Sequence, residues 1–509
     1  MSNAVKPDVF AITGLPPEVL AVAMAKYSRS KNPIRETIDE LTEEKSAEFH
    51  EKWVLGYGDA SVADMAIIAI ACENVSIIAS KAIEDTRLAS FQEKSTRYVD
   101  FDTSKYFRPR SVMENNAEQY EKTINTLFES YTGLLDKTIA YLRRRLSRPE
   151  KLSNKLYEAK LKARSLDAVR YFLPVATLTN FGMIMSARSL RHLIAKLKDN
   201  PYTEVRELAE AIQNAALEPA YNPQAKKIEE LLASLRAMGG EANELADQVA
   251  ATATLQIKGA PTLIKHTEPS PYQKHTNEYL STFEADLLKN APIADAPRVD
   301  YLENHSYEDE LVTTLLYGVS IFSYRQILTA VQALAPEKKQ VLLQTVASFR
   351  GDHDQPRREY EAGGQFVFDV LMDYGAFRDL QRHRMCTQIN QPLTTVHGYE
   401  VPFELRDAGL EQEFRAIIDT TLATHTKLKK VVGADADYLI PLACKKRTLF
   451  KMNLRELYHM VELRSKPGGH MSYRTIVTDM YAAVKGRHPL LVESLRITPL
   501  DYDKDFFKR

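Results

Sequence analysis

The chain repeats itself, and that repetition restricts its architecture more than any other feature. Ser186-Ala-Arg-Ser-Leu-Arg-His192-Leu returns as Asn453-Leu-Arg-Glu-Leu-Tyr-His459-Met, and Phe172-Leu-Pro-Val-Ala returns as Leu439-Ile-Pro-Leu-Ala. Arg188 and Arg455, His192 and His459, and Pro174 and Pro441 all stand 267 residues apart. One register held across two motifs means two copies of one fold in tandem. A weaker match pairs Arg87-Leu-Ala-Ser with Arg384-Met-Cys-Thr at an offset of 297, so the first copy carries 30 extra residues between its motifs. Such an insertion costs little on a surface, because loop-closure entropy grows slowly with length. The copies are expected at 1–285, insertion included, and at 286–509, where a linker precedes the second copy. Pro261, Pro269, Pro271, Pro292 and Pro297 break regular periodicity across 261–304, which reads as that linker.

Within the copies the patterns are mixed. Segments 118–146, 204–217, 226–238 and 410–432 place apolar residues at three- and four-residue spacing and predict amphipathic helices. Segment 364–373, rich in Phe and Val after turn residues, predicts a strand leading into a helix that carries Arg378 to Arg384. The expected class is mixed α/β (α+β), each copy a sheet packed with helices.

Lys+Arg number 67 against 68 Asp+Glu, which argues against a general nucleic-acid or anionic-membrane binder. The three cysteines, Cys72, Cys386 and Cys444, are too few and too dispersed for a disulfide framework, and a reducing, cytoplasmic compartment is expected. Residues 1–8 hold no apolar signal core, and the most apolar stretch, 60–82, is broken by Asp64, Glu73 and Asn74, so no membrane span is expected.

Four places concentrate chemistry. Arg378-Asp-Leu-Gln-Arg382-His383-Arg384 crowds positive charge, either as an anion site or as a solvated basic helix face. Glu93-Lys-Ser95-Thr-Arg97 sets a carboxylate, a hydroxyl and a guanidinium at alternate positions, on one side if the segment is extended, although a surface loop explains it as well. The second copy of the repeated helix carries Asn453, Arg455, His459 and Arg464 at short helical steps, where the first keeps only Arg188 and His192. Arg170 precedes Tyr171-Phe-Leu-Pro174, and its counterpart is Asp437; a phosphate-binding arginine cannot become an aspartate and keep its role. His353, His383, Cys386 and His397 fit no common zinc spacing, so no metal is expected. No glycine-rich phosphate loop follows a strand, and nothing marks Cys386 as a nucleophile.

At these residues a family resemblance emerges. Arg382-His383-Arg384 resembles the Arg-His-Arg signature of the flavin-dependent thymidylate synthases, and the segment from Arg87 through Glu93, Ser95 and Arg97 is similar to the part that completes it. Asn453 to Arg464 resembles the family's later flavin and nucleotide helix. The first copy keeps Glu93, Ser95 and Arg97 but has Asp85-Thr86 where Arg-His belongs; the second keeps the triplet but has Asn390, Pro392 and Thr394 downstream. Members of that family are homotetramers with sites between subunits, so the resemblance implies a fused pair whose single composite site draws on both copies, and a homodimer forming a pseudo-tetramer.

Carried over residue by residue, the resemblance implies that Arg97 and Arg170 hold a nucleotide phosphate with help from Ser95, while Glu93 accepts from the ribose hydroxyl. Arg382 and Arg464 would face the pyrimidine carbonyls as the catalytic pair. His353, His383, Arg384, Asn453, Arg455 and His459 would hold FAD. A family glutamine that assists the nucleotide is Asp379 here and Ala82 in the first copy. The implied activity is reductive C5 methylation of dUMP to dTMP, with methylenetetrahydrofolate and NADPH as co-substrates. A diverged relative acting on another pyrimidine nucleotide and a nucleotide- or flavin-binding protein without turnover are the alternatives.

Overall fold

The computed structural model describes residues 10–31, 33–56, 61–97, 101, 103–252, 257–269, 298–302, 306–317, 328, 331–348, 360 and 365–506. They gather into two compact units of mixed α/β structure, the first from 1–75, 88–93 and 180–289, the second from 76–87, 94–179 and 290–509. No helix of the described residues is long and apolar enough to cross a membrane.

The sheet of the first unit runs β1 (Ile67–Ser76), β3 (Leu178–Ser186), β2 (Ala89–Glu93). β2 and β3 are antiparallel, with Ala89 opposite Met185 and Glu93 opposite Phe181. Phe181, Met183 and Met185 alternate inward with exposed Asn180, Gly182 and Ile184, the two-residue period of a half-buried strand. The helix Ala187–Lys198 follows, started by the Ser186 side chain, which accepts the Ser189 N–H. Its inner face is Leu190, Leu193, Ile194 and Leu197, and His192 lies on its exposed side.

The second unit is built on an antiparallel sheet in the order β4 (Val299–Leu302), β5 (Phe366–Asp373), β7 (Lys445–Met452), β6 (Thr387–Asn390). Phe366, Phe368 and Val370 of β5 stand opposite Met452, Phe450 and Thr448, all on the buried face. The repeat is visible in how strands turn into helices. Asp373 caps the helix Tyr374–Leu380 by accepting from Ala376 N–H at 2.7 Å, as Ser76 caps Ile77–Glu84 through Ala79 at 3.1 Å. Asn453 caps Leu454–Arg464 through Glu456, the counterpart of Ser186.

Within this unit the two copies also clasp one another by a reciprocal set of backbone bonds. Val175 N–H donates to Ile440 O and Leu442 N–H to Leu173 O, each at 3.0 Å; Ala176 N–H donates to Tyr438 O and Ala443 N–H to Tyr171 O, at 3.1 and 3.3 Å. Each bond has a partner 267 residues on with the roles exchanged, the pattern of a two-fold interface. Rings close around it: buried Phe172 meets buried Phe414 edge-on at 4.8 Å, and half-buried Phe107 lies 4.7 Å from buried Tyr438.

The four expected helices are present as Arg110–Arg145, Thr203–Leu217, Ala225–Met238 and Glu411–Val432, the first longer than its apolar period and broken at Asn116. The strand expected over 364–373 is β5. Three expectations change. The helix after β5 ends at Leu380, so Arg382, His383 and Arg384 lie in the turn leading to β6, and Arg378 and Arg382 do not share a helix face. The chain has to leave the helix there to bring Thr387 opposite Lys451. Residues 93–97 are not one extended run: Glu93 ends β2, and Ser95 Oγ accepts the Arg97 N–H at 3.2 Å, closing a turn. The end of the expected linker is ordered, since Val299–Leu302 forms the edge strand β4. His353 lies outside the described residues.

Phe172→Ala empties a fully buried position against Phe414, and a loss of about 3 to 5 kcal/mol is expected from the denaturant midpoint, against a few tenths for His192→Ala on the exposed helix face.

Candidate functional site

His383 is placed by the turn after the helix Tyr374–Leu380 and is buried between two partners from the helix Leu454–Arg464. Its Nδ1 lies 2.8 Å from Glu456 Oε1, and Arg464 Nε–H points at its Nε2 from 2.9 Å. A guanidinium only donates, so Nε2 accepts and the ring proton sits on Nδ1, facing Glu456. Burial lowers the pKa of His383 and the Arg464 charge adds to this, against Glu456, so the imidazole is neutral. Both ring nitrogens are therefore committed within the protein, and what His383 orients is Arg464. The His459 ring lies 5.5 Å from that of His383 on the exposed side; Arg382 is also exposed, and Arg384, Asn453 and Arg455 are half-buried.

Arg97 reaches the same region from the first copy. Its Nε and Nη2 grip the two oxygens of Asp167 at 2.6 and 3.1 Å, Nη2 also donates to Gly468 O at 2.9 Å, and Nη1 lies 3.4 Å from Tyr473 Oη. Burial opposes the charge, but the Asp167 carboxylate outweighs it and holds Arg97 protonated. The Arg97 and Arg464 guanidiniums stand 5.9 and 5.6 Å from the Tyr473 ring centre, so one aromatic ring gathers a cation from each copy. The loop before it needs its glycines: Gly468 has φ of 88°, and a Cβ on Gly469 would lie 2.8 Å from Tyr473 Oη.

Arg170, at the end of the helix Asn154–Val169, is 2 % exposed. Its Nη1 lies 3.4 Å from Thr96 Oγ1 and 3.9 Å from Asp379 Oδ2, while Nε and Nη2 have no hydrogen-bond partner among the described residues. Gly375 packs beside it: a Cβ there would lie 3.0 Å from Asp373 Oδ1 and 3.4 Å from Arg170 Nη2. Leaving such donors buried and unpaired is costly, and an anion is the kind of group that could take them. The repeat-related position is the reverse: Asp437 accepts from His425 at 2.9 Å and from Lys429 at 2.7 Å.

His470 supports this arrangement. It stacks on Tyr171 at 5.6 Å, donates from Nε2 to Asp167 O at 3.2 Å, and accepts the Ser472 N–H on Nδ1. Burial, then Arg170, pushes its pKa well below 6.5, so it is neutral. Beyond it opens a cavity of about 560 Å³ whose walls include Tyr171, Asp373, His470, Ser472, Lys445 and Tyr502. Asp373 is raised by burial, against the Ser472 hydroxyl and Ala376 N–H that both donate to it.

Of the residues singled out from sequence, the structure gathers Arg97, Arg170, His383 and Arg464 around Tyr473, Asp167 and Asp379. Ser95 turns back on its own backbone, and Glu93 is buried at the end of β2. The sequence reading missed Asp167, Tyr473 and His470. Asp167 sits one turn before Arg170 on a helix, and the Gly468-Gly469 pair marks the approach that Tyr473 requires. No group of His, Cys, Asp and Glu suited to a metal occurs among the described residues.

A family model described as thymidylate synthase complementing protein matches the chain twice, over residues 12–219 and 304–490. The chain belongs to that family. A UPF0159 protein of Chlamydia pneumoniae is 30% identical over 516 residues, covering 95% of this chain and 90% of the relative. A UPF0159 protein of Chlamydia muridarum is 30% identical over 97% of this chain and 92% of its own length. A flavin-dependent thymidylate synthase of Thermococcus onnurineus is 28% identical over 184 residues, 35% of this chain and 66% of that one. The family domain occurring twice accounts for the repeat, and the two family matches contribute Arg170 and Arg464 respectively.

Two outcomes follow from the geometry. Asp167→Ala strands the buried Arg97 charge and is expected to cost about 3 to 5 kcal/mol in denaturant unfolding, part of which Arg97→Met in the same chain restores. His470 holds its proton only at a pH well below 6.5, while the unfolded chain takes one up near that value. Stability therefore falls as pH drops through 6.5, and His470→Gln should flatten that fall in melts between pH 7.5 and 5.

Proposed function

We propose that this chain is a flavin-dependent thymidylate synthase-like enzyme that reductively methylates C5 of a uracil nucleotide, dUMP to dTMP, with methylenetetrahydrofolate as one-carbon donor and NADPH as reductant. The observation that carries the reading is Arg170: a buried guanidinium with idle donors, from one copy, in the same unit as Arg464 from the other. Arg170 binds the phosphate. Arg464, oriented by neutral His383, and the exposed Arg382 would face the pyrimidine carbonyls and stabilise the negative charge on the ring that makes C5 nucleophilic and that its attack on the one-carbon unit discharges.

The cations Arg382, Arg384 and Arg455, with His459 and the Asn453 amide, make a donor-rich set that suits the pyrophosphate of FAD. When bound, FAD supplies the hydride chemistry. Glu93 and Ser95 remain assigned to the ribose and phosphate, with Arg97 acting as the strut that holds Asp167 and the Gly468 loop. The copies divide at 1–285 and 286–509, and two cytoplasmic chains assemble as a pseudo-tetramer. A second reading, modification of another pyrimidine nucleotide, is favoured by one observation, the Asp379 carboxylate beside Arg170.

Purified protein is expected to carry about one FAD per chain by absorbance and to form dTMP when given dUMP, methylenetetrahydrofolate and NADPH. In calorimetric nucleotide titrations Arg170→Ala and Arg464→Ala each weaken binding roughly 30- to 1000-fold, although they lie in different copies, while His192→Ala leaves it unchanged. Full affinity in a folded Arg170→Ala protein would remove the phosphate from this site.

A further inference from the structure

The charges around Arg170 are balanced before any ligand arrives. Arg97 is paired with Asp167, and Arg164 with Glu404 at 2.8 Å; Arg170 has Asp379, 19 % exposed, at 3.9 Å. His470 is neutral and Tyr171 is pushed well above its ordinary range, first by burial and then by Asp373. Asp373 holds its two donors from Ser472 and Ala376. Thr96 Oγ1 lies against Arg170, Asp373 also feels its charge, and Arg97 is within electrostatic reach of Asp379. A phosphomonoester dianion placed here would meet one guanidinium with idle donors and, beside it, a carboxylate that accepts but cannot donate. The second guanidinium that a dianion calls for is spent on Asp167.

We infer that Asp379 determines the charge of the ligand, so that the group taken at Arg170 is a phosphate carrying a single negative charge. This rests on the nucleotide reading above and narrows it. A singly charged phosphate has two sources, a phosphodiester or a phosphomonoester that keeps one proton. The proton of the second lies between phosphate and Asp379 and removes the clash of two anions.

Calorimetric titration with dUMP and with its methyl phosphodiester, at pH 5.5 and pH 8, separates these. The second ionisation of a phosphomonoester lies near pH 6, so the singly charged fraction of dUMP falls by roughly 75-fold between the two conditions. Wild-type affinity for dUMP should fall by about that factor, while the diester, whose charge does not change, binds equally at both. Asp379→Asn, which can donate to the dianion, should recover dUMP at pH 8 by tenfold or more and flatten the dependence. Equal wild-type affinity for dUMP at both pH values, with Asp379→Asn no tighter, overturns the inference and leaves the nucleotide reading intact. Tighter binding of dUMP than of the diester at pH 8 overturns it without recourse to a variant. Failure of both ligands to bind, or binding indifferent to Arg170→Ala, removes the nucleotide reading and this inference with it.

Discussion

The backbone exchange around Pro174 and Pro441 is the constraint on which the second unit rests. Proline has no N–H, so at each crossing the flanking residues supply the donors, and Val175 and Leu442 reach across to Ile440 and Leu173 in matching bonds. The same exchange fixes the neighbours of those residues. Tyr171 O accepts from Ala443, which pins the Tyr171–Phe172 peptide next to Arg170, and the Tyr171 ring stacks on His470. Arg170 thus stands on a seam between the copies, and its place is set by backbone rather than by a flexible side-chain contact.

Around that seam, buried charge is arranged in pairs. Such pairs return little net stability, because desolvation offsets most of the attraction, but they fix direction. Asp167 holds both forks of Arg97, Glu404 holds Arg164, and Glu456 sets the proton of His383 so that its other nitrogen can only accept from Arg464. Tyr473 lies against Arg97 and Arg464; a side chain at Gly469 would collide with it, and Gly468 before it takes a positive φ.

Much of this was legible beforehand. The 267-residue register located both copies, and helices with a clean apolar period, such as Glu411–Val432, ended within a residue of their expected limits. The motifs also singled out Arg170, His383 and Arg464, which the fold brings into one unit. The Arg382-His383-Arg384 turn was not, because helical spacing of charged residues says nothing about where tertiary pairing ends a helix, and here the need to reach β6 ended it at Leu380. The partner of Arg97 was hidden for a different reason: Asp167 is 70 residues away, and its own neighbours read only as one face of a helix. The cavity beside His470 is assembled from five or more separated segments and has no local signature.

The exchange of Arg170 for Asp437 at matched positions has a consequence for the history of the chain. Two identical subunits cannot hold arginine at one such place and aspartate at the other, since a single codon writes both. Covalent fusion of two coding copies lifts that rule, letting one half specialise while its twin fills the vacated position with an ordinary ion pair, as Asp437 does with His425 and Lys429. Once this has happened the step is hard to reverse. Splitting the chain would give two polypeptides of which neither, paired with itself, could set Arg170 opposite Asp437, so the covalent joint is what keeps the two halves unlike.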